Sequence, residues 1–461
     1  AVGYFALLSN TTGASNVAVG YASLDANTSG SDNTSMGKSS LSSNTTGSNN
    51  VALGKDALYA NTTASNNTAI GDSSLENNVT GTNNVSVGTN ALLANIGASS
   101  NTAVGAASLK SNTSGANNVA VGNGALYTST TGVSNVAIGK DSLYYNTTGS
   151  YNVGTGLGSL QYTTTGNGNS GFGTYALYSN TTGNANTAMG GYDAYTNAPL
   201  NSNTTGSYNV ATGVGALQAN TTASNNTAVG YKALTANTTG TPNIAIGKDA
   251  LLASTVGGHK IAIGEEAGKT STTGSNFTAI GHQSLYSNTT GYYNIAIGRG
   301  SLYTNTTGHT TVSIGDNSMN LNTTGNENVA IGYSALRHNT TASSNVAVGF
   351  SALTANTTGA GNVVIGKDAG YANTTGEYNT AVGRGALGNN IVGNNNTAIG
   401  REALNVNTAS YNTALGYQSL RNNTTGDLNV AVGYQSLLAN TSASSNTAVG
   451  NVALKSNTTG H

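Results

Sequence analysis

The sequence predicts an all-β fold, a parallel β-solenoid or β-roll of about 27 coils, with one coil for each copy of a 17-residue repeat. Three observations support this: a glycine recurs at a fixed step, the same residue pattern surrounds each copy, and that pattern alternates as in a strand. This marker glycine occurs from Gly3 to Gly190, from Gly213 to Gly400, and then at Gly416, Gly433 and Gly450. The shared pattern is N-[VT]-A-[VI]-G-x-x-[AS]-L-x-x-N-T-T-G-x-x.

Each repeat is predicted to begin with a short strand. In one copy, Ile244 and Ile246 stand two residues apart and share one face, while Asn243, Ala245 and Gly247 take the other. The small residues leave that second face thin enough for another backbone to approach closely. We therefore expect each coil to enclose one row of Val or Ile side chains and one row of Leu, with the Ala and Gly row facing elsewhere.

The rest of the repeat is predicted to bring the chain back to its starting side. A second apolar pair, such as Ala233-Leu234, indicates a second short strand or an extended corner. The NTTG stretch, as at 237–240, is typical of a turn, because Asn tolerates left-handed dihedrals, Gly supplies positive φ and Thr hydroxyls bond nearby backbone. One repeat therefore makes one coil.

Stacking of the coils in register places equivalent residues above one another, about 4.8 Å apart. The Asn column that contains Asn16, Asn50, Asn67 and Asn84 is then expected to form an amide ladder. Because so small a coil encloses little, burial of both the Val/Ile row and the Leu row is expected to need a partner. We expect copies of the chain to pack side by side, as a homotrimer around a common axis or as a filament.

The regular step predicts one continuous solenoid rather than separate domains. It consists of a repeat array at 1–190, a coil with a six-residue insertion at 191–212, and a second array at 213–461. The sequence begins and ends inside repeats, without the atypical polar repeats that terminate a solenoid. We therefore expect it to be a segment of a longer protein.

The insertion is the one feature unlike its neighbours, because the step between marker glycines stretches there from 17 to 23 residues. A loop that protrudes from a rigid scaffold often makes specific contacts. Tyr192, Asp193, Tyr195 and Asn197 form the candidate contact loop. The plainer interpretation is an insertion tolerated at a turn, since a longer surface loop costs little entropy to close.

The composition argues against nucleic-acid and membrane partners. Charged residues make up only 7% of the chain, and 15 basic and 16 acidic side chains give a net charge of -1. This removes the electrostatic attraction on which nucleic-acid binding depends. No apolar run approaches the roughly 18 residues of a membrane-spanning helix, so we expect no membrane insertion of this segment.

Catalytic, metal and cofactor sites are not expected. Cysteine is absent, which excludes disulfides and thiolate metal ligands. No two histidines occupy the same position in neighbouring repeats, so they cannot converge by stacking. The doublet Glu265-Glu266 lacks a second carboxylate opposed across a cleft, as glycoside hydrolysis requires. We therefore expect no enzyme activity.

The turn column repeats the sequon Asn-x-Thr/Ser, which is formally an acceptor of N-linked glycans in a surface loop. The candidate glycosylation sites are Asn10, Asn27, Asn44, Asn61, Asn146, Asn180, Asn237, Asn288 and Asn305. The competing interpretation is that Asn and Thr serve turn geometry and ladder formation, and we favour it.

Tyrosine is the abundant aromatic residue, with 24 copies and no Trp. It clusters directly after the marker glycine or directly after the Leu of the repeat. Examples are Tyr21, Tyr231, Tyr333, Tyr127, Tyr144 and Tyr286. Columns of such rings could grip sugars or neighbouring fibres. The alternative is that they pack against adjacent chains or shield the edge of the coil.

The block N-[VT]-A-[VI]-G, as at 135–139 and 328–332, resembles the head repeats of trimeric autotransporter adhesins of the YadA-like kind. The resemblance extends over nearly the whole chain. It implies a left-handed parallel β-roll, three chains wide, displayed outside a bacterial cell, and similar repeats resemble those of some phage tail fibres. The present repeat differs from that family in its longer coil with an added NTTG turn.

On these grounds we expect an extracellular or cell-surface structural fibre, filament or adhesin shaft that self-associates and is not catalytic. The alternative is an adhesin head that binds carbohydrate or a host or matrix surface, or a receptor-binding phage tail fibre. An ice-binding solenoid is disfavoured because the paired threonines lie in turns rather than on a flat strand face. A catalytic tailspike ranks last.

Overall fold

The computed structural model describes residues 1–191 and 197–460 within two compact units, Ala1–Thr239 and Gly240–His461. Each unit contains 13 short parallel strands, one for each repeat except the first, in which Val2 forms only an isolated bridge to Val19, and the described residues contain no helix. Both units are therefore parallel β-solenoids with a coil of about 17 residues, as the sequence predicts.

The strands of the first unit are β1 (Val17–Val19), β2 (Thr34–Met36), β3 (Val51–Leu53), β4 (Thr68–Ile70), β5 (Val85–Val87), β6 (Thr102–Val104), β7 (Val119–Val121), β8 (Val136–Ile138), β9 (Val153–Thr155), β10 (Ser170–Phe172), β11 (Thr187–Met189), β12 (Val210–Thr212) and β13 (Thr227–Val229). Those of the second are β14 (Asn243–Ile246), β15 (Lys260–Ile263), β16 (Phe277–Ile280), β17 (Ile295–Ile297), β18 (Val312–Ile314), β19 (Val329–Ile331), β20 (Val346–Val348), β21 (Val363–Ile365), β22 (Thr380–Val382), β23 (Thr397–Ile399), β24 (Thr413–Leu415), β25 (Val430–Val432) and β26 (Thr447–Val449).

Within each unit every strand pairs in parallel with the next strand of the chain, and equivalent repeat positions face each other. Ala18 of β1 pairs with Ser35 of β2, for example. Where the repeat is lengthened, Thr187 still pairs with Val210. Where it is one residue short, Thr397 pairs with Thr413. Both changes in repeat length therefore lie between strands, and the strands keep their register.

The corners of the coil are made by residues in the left-handed conformation. Besides the marker glycine, three residues of a typical coil have positive φ, such as Ala22 (51°), Leu24 (54°) and Asp32 (57°). The prediction of a second strand or extended corner at the Leu position is therefore wrong. A left-handed residue costs about 1–2 kcal/mol. Complete burial of the Leu side chain stabilises by about 1.5–3 kcal/mol, which offsets that cost.

Ala, Leu, Ser and Asn fill the interior of the coil. The middle residue of the strand points inward, so Ala18 is fully buried, whereas Val17 beside it is 48% exposed. Leu24 is also fully buried within its own chain. The expectation that the coil encloses the Val/Ile row while the Ala row faces elsewhere is therefore wrong, and the Leu row needs no partner chain.

Lack of space explains why Ala occupies the centre of the strand. In β21 the central residue is the larger Val364, and in that coil Gly370 stands at the Leu position. A Cβ atom on Gly370 would lie 3.4 Å from the Cγ atoms of Val364. The interior thus accepts a β-branched side chain at the strand only where the opposite Leu is missing, because its volume is fixed by the coil.

Two columns of buried Asn side chains run through each unit and confirm the predicted amide ladder. The amide group Nδ2 of Asn84 donates to Oδ1 of Asn67 at 3.2 Å, and the backbone N–H of Asn84 donates to the same oxygen at 3.0 Å. In the turn column, Nδ2 of Asn27 donates to Oδ1 of Asn10 at 2.7 Å. Most of these buried amides have partners in their own and the neighbouring coil, which makes their burial tolerable.

Candidate functional surfaces

The Asn residues of the turn column lie inside the coil. Eight of the nine candidate glycosylation sites are buried, and Asn10 in the first coil is half-buried. Asn44 is representative, because its Nδ2 donates to Oδ1 of Asn27 at 2.8 Å and to the carbonyl of Gly47 at 2.9 Å. Attachment of a glycan at such a nitrogen would require the coil to open. The structure therefore favours the turn-and-ladder interpretation over glycosylation of the folded chain. The buried candidates are Asn27, Asn44, Asn61, Asn146, Asn180, Asn237, Asn288 and Asn305.

The candidate contact loop falls mostly outside the described residues. Tyr192, Asp193 and Tyr195 belong to that part of the chain. Asn197 is described, and its backbone carbonyl accepts a hydrogen bond from the N–H of Gly215 at 2.7 Å. Its backbone has therefore already joined the ladder between coils, so the contact-loop hypothesis rests on the residues before it.

An apolar face runs along the strands of each unit. We define the Val/Ile face as the residues directly before and after the central residue of each strand. In β8 these residues are Val136 and Ile138, and Ile138 is 42% exposed. None of the residues in this set is charged. The face therefore presents rows of β-branched and other apolar side chains, with Thr among them, to the surroundings.

The tyrosine columns form stacks of rings. Tyr127 and Tyr144 have ring centroids 4.8 Å apart with planes inclined by 2°, and Tyr286 and Tyr303 are 5.0 Å apart. Burial, with the neighbouring phenol of Tyr162 as a smaller cause, raises the pKa of Tyr178 to about 12. In such stacks the rings cover each other's faces, so mainly their edges are available to a ligand.

Charged side chains form short ion pairs between neighbouring coils at the surface. Nζ of Lys248 lies 3.0 Å from Oε1 of Glu265, and the guanidinium of Arg299 lies 2.9 Å from a carboxylate oxygen of Asp316. Contacts from Lys269 and Gln283 lower the pKa of Glu266. Exposed pairs of this kind contribute little to stability, since solvent screens them.

Lys260 is a buried cation that the sequence shows only as an exception in the Asn column. Its Nζ donates to Oγ of Ser254 at 2.7 Å and to the carbonyl of Val256 at 2.9 Å. Ser254 stands where most coils have the turn Asn, and the shorter side chain leaves room for the lysine. Burial lowers the pKa of the Lys260 ammonium to about 8, because the charged form loses its hydration.

From the lowered pKa of Lys260 we predict an unusual pH dependence of the stability of the second unit. Between about pH 8 and 10.5 the unfolded chain holds a proton that the folded chain has released, so the free energy of unfolding rises with pH across that window. The lowered pKa corresponds to a rise of about 3 kcal/mol in the free energy of unfolding across this window. The substitution Lys260→Met should therefore stabilise the protein at pH 7 and remove this part of the rise.

Thermal and urea denaturation followed by circular dichroism at pH 7 and pH 10 would measure this effect in the wild type and in Lys260→Met. The variant is the internal control, because all tyrosines and other lysines titrate equally in both proteins. If the stability difference between the two proteins were the same at both pH values, the lysine would be charged in the fold throughout.

Two kinds of site are not found among the described residues. No group of three or more His, Asp or Glu side chains among them is arranged to hold a metal ion. The same residues include no helix with the length and apolar character needed to cross a membrane. No protein-family model and no curated protein sequence matches this chain.

Proposed function

We propose that this chain is a structural β-solenoid that self-associates side by side through its Val/Ile face, with a mechanical rather than a catalytic role. The observation that supports this most strongly is that each coil completes its own interior with Ala, Leu and Asn, yet leaves the Val/Ile face outside. A long apolar face on a protein surface is typical of an interaction site. A second copy of the chain offers a face of the same composition and spacing.

The size of the face is sufficient for association. Each strand spans about 10 Å, and 13 strands at about 4.8 Å extend over about 60 Å, which gives roughly 600 Å² in each unit. Burial of that face on both partners removes about 1,200 Å², the lower end of the range for stable protein interfaces. Because closed cyclic assemblies are common for identical subunits, a homotrimer is the arrangement we propose.

The proposed location is outside the cell, as part of a fibre, filament or adhesin shaft. Two features support it: the resemblance of the strand motif to adhesin head repeats, and a surface built from Asn, Thr and Ser rather than from charged residues. Backbone hydrogen bonds between coils, such as that from the N–H of Val17 to the carbonyl of Asn33 at 2.9 Å, would carry the mechanical load.

Self-association is tested by measuring the mass of the protein in solution by sedimentation equilibrium. The double variant Ile70→Lys with Ile138→Lys places two charges on the Val/Ile face, four coils apart, and is expected to sediment as a monomer. The wild type is expected to sediment as an oligomer. A buried unpaired charge is costly in an interface, which is the reason for the expected loss.

The matched control is Asn123→Lys, which adds a charge in the same region but on the column where Lys140 naturally stands in the next coil. This variant should remain oligomeric. A wild-type chain that stays a stable, monodisperse monomer at high concentration would refute self-association, and equal effects of the control and the double variant would refute the role of this face.

A further inference from the structure

A concavity of about 460 Å³ lies on the side of the second unit that follows the marker glycines, away from the strand centres. We call it the Gly388 notch. Its lining residues are Phe350, Ser351, Asp368, Tyr371, Gly385, Gly388, Asn389 and Asn405. Its volume is in the range of small-molecule sites, which measure about 300–1,000 Å³.

One column beside the notch has a glycine where neighbouring coils carry a side chain. Tyr371, Gly388 and Asn405 occupy the same position of three successive coils. Gly388 does not have a left-handed φ, so its backbone conformation does not require glycine. A Cβ atom on Gly388 would lie 2.7 Å from Nδ2 of Asn405, so the Asn405 amide occupies the space beside this glycine.

The ring of Tyr371 has no aromatic neighbour at the next position of its column. In the same column, Tyr286 and Tyr303 stack at 5.0 Å and cover each other. The residue after Tyr371 in the column is Gly388, so the next coil supplies no aromatic ring to stack on Tyr371, which is 49% exposed. Phe350 lies nearby but stacks on Tyr333 at 5.1 Å, so it contributes an edge to the notch.

Polar groups surround the open ring. Nδ2 of Asn405 donates to the carbonyl of Gly385 at 2.7 Å, which fixes the amide across the floor of the notch. Nδ2 of Asn389 approaches Oδ1 of Asn405 at 3.4 Å. The carboxylate of Asp368 also lines the notch, and it forms no ion pair with the described lysines and arginines.

We propose that the Gly388 notch binds a neutral saccharide, with the apolar face of one pyranose ring packed on Tyr371. A sugar ring combines an apolar C–H face with hydroxyls at its rim, and an aromatic face beside amides and a carboxylate complements both. The carboxylate of Asp368 accepts hydrogen bonds from hydroxyls and disfavours anionic ligands. This site is independent of the Val/Ile face, so either proposal can fail without the other.

A second concavity shows why the open ring matters. It measures about 320 Å³ and contains Gly300, Tyr303 and Asn320, five coils before the corresponding part of the Gly388 notch. Its Asn320 also donates to a glycine carbonyl, that of Gly300, at 2.9 Å. There, however, Asn320 follows Tyr303 in the column and Tyr286 covers the other ring face. The inference is therefore confined to the Gly388 notch.

The test is titration of the full chain with cellotetraose, chitotetraose and maltotetraose, followed by saturation-transfer NMR and calorimetry. At least one of these neutral oligomers is expected to bind, with transfer to the ring protons of the sugar. Tyr371→Ala should weaken binding at least 10-fold. Gly388→Tyr displaces the Asn405 amide, which lies 2.7 Å from the added Cβ, and places a second ring beside Tyr371, so it should abolish binding. Circular dichroism verifies that both variants are folded.

Tyr59→Ala is the matched control, because Tyr59 occupies the same column position in the first unit, is 44% exposed, and is followed in its column by Glu76 rather than glycine. Its removal should leave binding unchanged. The proposal is overturned if none of the three oligomers binds at about 10 mM. It is also overturned if folded Tyr371→Ala binds as well as the wild type, or if Tyr59→Ala loses binding equally.

Discussion

Replacement of Gly54 by alanine is expected to open the coils around β3 and β4 at a cost of about 4 kcal/mol. Gly54 has a φ of 141°, which L residues rarely adopt. A Cβ atom there would overlap the carbonyl oxygen of Gly71 and would lie 2.6 Å from its carbonyl carbon. The obstructing atoms belong to the backbone of the next coil, so they cannot move aside without breaking the ladder.

Hydrogen exchange of the full chain, measured by mass spectrometry, would localise this effect to peptides from 40–90. Their exchange should accelerate about 1,000-fold in Gly54→Ala, the factor that corresponds to such a loss. The control is Gly168→Ala, where φ is 66° and no atom lies within 4 Å of the added Cβ. That variant should lose only about 1–2 kcal/mol. Equal protection in both variants would show that close stacking of the marker glycines is unimportant.

Replacement of Asn67 by aspartate is expected to destabilise the first unit by about 3 kcal/mol or more, although the two side chains have nearly the same shape. Asn67 is fully buried, and its Nδ2 donates to the carbonyl of Gly81 at 2.9 Å. In the variant, a carboxylate oxygen faces that carbonyl instead. The ladder would then bury a negative charge that has lost a hydrogen bond.

The loss of stability in Asn67→Asp should become smaller as the pH falls. Desolvation raises the pKa of the buried carboxyl above its unfolded value, so the variant gains stability relative to the wild type as the pH falls through that pKa. Asn83→Asp is the control. Asn83 is exposed, directly precedes Asn84 in the sequence, and has a φ of 59°, which aspartate tolerates. Urea denaturation at pH 7 and pH 4 would measure both. If the two variants were equally stable at pH 7, the ladder would not depend on its amides.

The repeat itself allowed the coil length, the parallel register and the amide ladder to be predicted. A glycine at a fixed step of 17 residues leaves one way of stacking that places most Asn residues of a column above another Asn. Strand β14 begins at Asn243 and ends at Ile246, as the alternation of small and β-branched residues indicates. These features depend on periodicity, which a single sequence shows directly.

The direction of the strand faces could not be predicted from periodicity. Alternation with a period of two fits either choice, and the usual preference for burying Val and Ile favours the wrong one. The deciding factor is interior volume, which already holds a Leu and two Asn side chains and therefore admits only Ala at most strands. The left-handed φ of Leu24 was equally hidden, because Leu rarely adopts it.

The candidate sites were harder to predict because they arise from neighbours in a column rather than from a motif. Gly388 is unremarkable in the sequence, and its importance appears only when Tyr371 and Asn405 are placed above and below it. Lys260 likewise depends on Ser254, six residues earlier, to make room for its side chain. Compensation of this kind is visible only when the positions of one coil are compared in space.

The lengthened repeat carries a consequence for how such a chain can vary. Thr187 and Val210 pair in the usual register although six additional residues stand between them in the sequence. The pairing of the strands therefore does not depend on the length of the chain that connects them here. The other coils carry the marker glycine at the equivalent position. Foreign peptides inserted after the marker glycine of several coils are therefore expected to leave the strand register intact.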